Sequence, residues 1–181
     1  MVSSSVIKLI DEAIAPAALL ILAKLLGFFL VSYFGNVPIT INFKDILGIL
    51  PSIQFISVSD YIIAENYSNI TMFMAVALGT LLVLSRAHFL HESHINPNVH
   101  TKIASLNLEK LIAPSYHLYH QAAIWLTFLW LTTVFLGTST VFLKITHPAV
   151  SAVAFIVAVS FTWVLIHDIE KEIKINGETP Q

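Results

Sequence analysis

The chain has 181 residues, 56% of them hydrophobic and 11% charged, with nine Lys+Arg against eleven Asp+Glu and a net charge of −2. Soluble domains carry roughly a quarter charged residues, so this composition, with a mean hydropathy of +0.81, indicates an integral membrane protein of one domain, residues 1–181. A basic nucleic-acid surface is excluded, and the absence of cysteine excludes disulfides, thiolate metal sites and iron–sulfur clusters.

Crossing about 30 Å of hydrocarbon takes about 20 apolar residues in a helix. Segments 13–34, 70–90, 122–143 and 149–166 meet that need, which predicts an all-α bundle of four transmembrane helices. The first apolar run exceeds a signal-peptide core, and Asp11 and Glu12 stand where such a peptide carries positive charge. It is expected to remain in the mature protein. Lys24 falls near its middle, where a lysine costs roughly 2.5–3.5 kcal/mol. No carboxylate is expected at matching depth in the other spans, so Lys24 is a candidate contact for a substrate, a lipid phosphate or an acidic residue of another subunit.

Between the first two spans, residues 46–56 form an apolar stretch interrupted by Pro51. It is too short to cross, and a proline would break a spanning helix, so a re-entrant or interfacial segment is expected. Asn66 and Asn69 each begin an N-x-S/T triplet, a pattern too common to carry weight.

The second span ends in His88-Phe89-Leu90-His91-Glu92-Ser93-His94, and the third is preceded by His117-Leu118-Tyr119-His120-Gln121. On a helix, positions i, i+3 and i+4 share a side, which groups His88 with His91 and Glu92, and His117 with His120. In the loop between them, Ile95-Asn96-Pro97-Asn98 signals a turn and residues 101–112 read as a short interfacial helix. Pro114 ends it, and Ser115 is a plausible N-cap for the third span. That span is rich in hydroxyls (Thr127, Thr132, Thr133, Thr138, Ser139, Thr140) with Gly137, a composition that favours close helix packing. Trp125, Trp163 and Tyr116 read as interfacial anchors, and Trp130 as a packed residue. Residues 144–148 join the third and fourth spans as an antiparallel hairpin. His167 and Asp168 follow the fourth span, and a flexible polar tail is expected over about 170–181.

Six Lys/Arg (Lys8, Arg86, Lys102, Lys110, Lys171, Lys174) flank the spans on one side and two (Lys44, Lys144) on the other. The positive-inside rule then puts both termini and seven of the eight histidines in the cytoplasm. At that rim His88, His91, Glu92, His117, His120, His167 and Asp168 form a candidate transition-metal set, suited to zinc, iron or copper. Haem is the poorer fit, because these histidines sit at the edge of the hydrocarbon rather than within it. In a catalytic version the metal would act on a lipidic substrate from the bilayer, with Glu92 as general base and Arg86 holding an anionic headgroup. The competing reading is a non-enzymatic membrane subunit or small transporter, alone or in a homo- or hetero-oligomer, whose histidines are structural or pH-sensing.

Overall fold

The computed structural model describes residues 4–46, 50–90, 97–106 and 115–178. Helix α1 (Ser4–Phe34) is followed by strands β1 (Ile39–Ile46) and β2 (Leu50–Phe55), then by α2 (Val58–Phe89), α3 (Pro97–Ser105), α4 (Ser115–Val141) and α5 (Pro148–Glu178). Among these, α1, α2, α4 and α5 are long and apolar enough to cross a membrane.

Helix α2 starts twelve residues before the expected span, at Val58 rather than residue 70. Its start is fixed by Ser57, whose extended backbone and side chain cap the helix by accepting from the Asp60 amide at 3.1 Å, an arrangement that satisfies one of the free amides of a first turn. The helix therefore carries Glu65, Asn66 and Asn69 inside its length. Its buried side runs through Ala64, Ser68, Met72, Val76, Thr80, Leu84 and Ala87, a ridge of mostly small residues repeating every fourth position.

Helices α2 and α4 form the centre, with α1 lying mainly on α2 and α5 mainly on α4. Along this seam Val76, Leu118, Ala122, Leu129, Leu136, Ala154 and Ala158 are almost wholly buried. Trp125, expected at the interface, is instead buried, and its ring lies against Gly79 of α2. Trp163 and Tyr116 are exposed, while Trp130 packs edge-on to Phe155 and donates from its indole to Thr162 Oγ1 at 3.0 Å. The outward sides of α1 and α5 expose Ile21, Leu22, Leu26, Phe155, Ile156 and Trp163. Such continuous apolar surface suits contact with lipid rather than water.

Five hydroxyls of α4 bond to carbonyls of their own helix, Thr127 to Ala123, Thr132 and Thr133 to Leu129, Thr138 to Phe135 and Thr140 to Leu136. Ser139 and Thr140 fasten the end of α4 to the turn and to α5, Ser139 through Thr146 at 2.9 Å and Thr140 through Ser151. His147 accepts from the Ala149 amide at 3.2 Å and so caps α5. That helix carries on to Glu178, through most of the polar stretch expected as a flexible tail over about 170–181.

Where a re-entrant or interfacial segment is expected, strands β1 and β2 pair antiparallel, with Ile39 facing Phe55, Thr40 facing Gln54 and Ile41 facing Ile53. Pro51 is tolerated because a two-stranded ribbon has only edge strands. Phe55 anchors the ribbon to both neighbouring helices, with its ring 5.9 Å from that of Phe28 and 5.7 Å from that of Tyr61.

Candidate functional site

The histidine-bearing end brings together the start of α1, the end of α2, the start of α4 and the latter part of α5. His88 Nδ1 sits 3.0 Å from Asp168 Oδ1 and 2.9 Å from Oδ2, joining α2 to α5. Asp168 is buried while the imidazole is about half exposed, with side-chain exposures of 10% and 47%. With Nδ1 engaged, Nε2 is the ring nitrogen left to meet another group. His120 is drawn the other way. Its Nε2 approaches Glu12 Oε2 of α1 at 3.4 Å, but Glu12 Oε2 is buried without a hydrogen bond. The geometry is not that of a hydrogen bond.

His88 and His120 are thus drawn to opposite flanks of the α2/α4 pair. His117 is exposed beside the ring of Tyr116, and His167 is exposed next to Asp168. His91 and Glu92 lie outside the described residues. Among the described residues no three His, Asp or Glu side chains are disposed to hold a metal ion. Arg86, in the last turn of α2, is partly buried.

The half-exposed imidazole limits what the His88–Asp168 contact contributes, since exposed ion pairs are worth about 0.2–1 kcal/mol. A double-mutant cycle of His88→Ala and Asp168→Asn, followed by thermal unfolding in detergent, is expected to give a coupling within about 1 kcal/mol but above zero. Strictly additive losses would mean the contact does not tie α2 to α5.

The second polar group lies within the helices long and apolar enough to cross a membrane. Lys24 of α1 does have an acidic partner in the same chain, because the early start of α2 carries Glu65 to its level. Lys24 Nζ is 2.6 Å from Glu65 Oε1 and 2.5 Å from Asn69 Oδ1, and it stands 5.2 Å from the centre of the Phe28 ring. A carboxylate, an amide carbonyl and an aromatic ring therefore surround one ammonium. Close by, Gly27 lets α1 approach α2, since a Cβ there would come 2.5 Å from Ser68 Cα.

The three polar side chains line a pocket of ≈ 330 Å³ in the groove between α1, α2 and α4, together with Leu20, Phe135 and Ser139. No family model, curated protein or solved structure matches the chain. The hint for Glu65 and Asn69 in the sequence was their i, i+4 spacing, which puts both on one side of any helix that includes them.

Proposed function

We propose that the chain is a non-enzymatic multi-pass membrane protein, a small transporter or a subunit of one, with both termini and the histidine-bearing end in the cytoplasm. The observation that carries this reading is the Lys24–Glu65–Asn69 group on the wall of a pocket among apolar spanning helices. Ionisable side chains at membrane depth are costly and characteristically mark solute or ion pathways. The orientation rests on the six-to-two distribution of Lys and Arg. On this reading the histidines are ties between helices, and the apolar outer sides of α1 and α5 face the bilayer.

Uptake of radiolabelled zwitterionic, cationic and anionic small solutes into proteoliposomes tests it. Flux of any one class above that of vesicles carrying the Lys24→Met/Glu65→Leu double variant supports a transporter, and equal flux for every class ends that reading. Because the chain contains no cysteine, single cysteines placed at Ser5 and Asn42 report orientation cleanly. The first is expected to be labelled only from the cytoplasmic side and the second only from the opposite side.

A second reading is favoured by the carboxylate at His88 Nδ1. Metal-bound histidines usually donate their other ring nitrogen to a carboxylate, which fixes the ring and raises its basicity. Here Asp168 would orient rather than ligate, and His88 Nε2 would hold zinc, iron or copper with His91 and Glu92 next along the chain. Glu92 could then serve a bound water as general base, with Arg86 near an anionic lipid substrate. Elemental analysis of protein purified through a non-histidine tag is the deciding measurement. Near-stoichiometric metal that disappears in both His88→Ala and His91→Ala would establish this second reading, and metal-free protein from a chelator-free preparation would end it.

A further inference from the structure

We infer that the pocket at Lys24, Glu65 and Asn69 binds a small zwitterion, a molecule with a primary ammonium and an acid group a few atoms apart. The inference rests on the transporter reading for its biological use, though not for its chemistry. An ammonium offers three N–H donors, a carboxylate two oxygens and a primary amide two donors beside its carbonyl. Lys24 spends two donors on Glu65 Oε1 and Asn69 Oδ1. Among the described residues its third donor, Glu65 Oε2 and the Asn69 amide nitrogen have no protein partner, and all three side chains line the pocket.

The unspent valences are one cationic donor, one anionic acceptor and one neutral donor, adjacent on a single wall. A ligand ammonium matches Glu65 Oε2, and a ligand acid group matches Lys24 and the Asn69 amide. A simple anion would gain Lys24 but meet the Glu65 charge, and a simple cation would gain Glu65 but meet Lys24. An apolar ligand would bury both charges without replacing water at either. Only a dipolar ligand satisfies both at once. The volume of ≈ 330 Å³ lies at the small end of ligand pockets, about 300–1,000 Å³, which suits an amino acid or a lipid headgroup rather than a larger metabolite. Leu20, Met72 and Phe135 are among the residues lining the rest of the pocket.

Two sources offer this chemistry, a free amino acid and the headgroup of an aminophospholipid. Thermal unfolding of detergent-purified protein is measured with glycine and with phosphoethanolamine, and with acetate and methylammonium as the two charged halves. The same measurement is made in nanodiscs of phosphatidylethanolamine against phosphatidylglycerol. A zwitterion at saturation is expected to raise the midpoint by about 4 °C or more, the halves to have no effect, and the Lys24→Met/Glu65→Leu double variant, which keeps an apolar fill at the site, to show no rise. A rise confined to phosphatidylethanolamine nanodiscs assigns the headgroup, and one with free glycine or phosphoethanolamine assigns a soluble ligand. No rise with any zwitterion, an equal rise with either half, or a rise retained by the double variant overturns the inference. Binding without flux in proteoliposomes would instead leave this site standing and remove the transporter reading.

Discussion

Lys24→Met is expected to destabilise the protein by about 3 kcal/mol, and adding Glu65→Leu is expected to recover most of that loss. Removing one member of a buried ion pair costs about 3–5 kcal/mol, because the survivor keeps its desolvation penalty without its partner, whereas replacing both with apolar groups of similar volume is often neutral. The lower end applies here, since the Lys24 and Glu65 side chains retain 24% and 19% exposure. Unfolding of the four members of the cycle in mixed detergent micelles, followed by tryptophan fluorescence, measures the effect. Additive losses in the double variant would show that the pair is not a coupled unit and would remove the basis for treating it as a site.

The second large effect is expected at Gly79. A Cβ at that position would come within 2.0 Å of Trp125 Cζ3, 2.7 Å of Cη2 and 2.9 Å of Cε3. Trp125 is itself buried, between helices α2 and α4 at the centre of the bundle, so its ring has little room to retreat. Gly79→Ala should cost about 1–3 kcal/mol by overpacking, and Trp125→Phe in the same chain should relieve part of it. Gly137 is the internal control. Nothing lies within 4 Å of a Cβ built there, so Gly137→Ala should be neutral or stabilising by up to about 1 kcal/mol through helix propensity. If both glycine variants unfold at the same midpoint, the close approach of α2 to Trp125 is not what holds the central pair.

The four long helices were legible because length and apolarity alone define them. What lay beyond that was hidden for physical reasons. A helix apolar on every side gives no periodic signal, since lipid-facing and core-facing residues have the same polarity. The inward placement of Val76 and Thr80, against the exposure of Leu78 and Leu82, is decided by residue size rather than by hydrophobicity. Ala64, Ser68, Val76 and Thr80 on one i, i+4 row were the available clue. Glu65, Asn66 and Asn69 looked like loop because polar residues dilute the hydropathy of a window, yet Ser57 and Asp60 formed a legible helix start just before them. The hairpin was legible too, in the alternation Ile39-Thr40-Ile41-Asn42 and Ile53-Gln54-Phe55.

At the histidine end the i, i+3, i+4 grouping was sound as helix geometry but silent on which neighbour each imidazole would meet. His88 turns to Asp168 and His120 to Glu12 because α5 and α1 lie on opposite flanks of the central pair. That arrangement depends on the order in which helices pack, which local spacing does not encode.

The separation of Lys24 from Glu65 by 41 positions has a consequence for biosynthesis. The ribosome delivers α1 with its lysine before the carboxylate that neutralises it has been translated. At about 5–20 residues per second, the first helix waits roughly 2–8 s for that partner. A pause codon or a tightly held hairpin between the two would lengthen the interval in which the nascent chain is exposed to quality-control proteases.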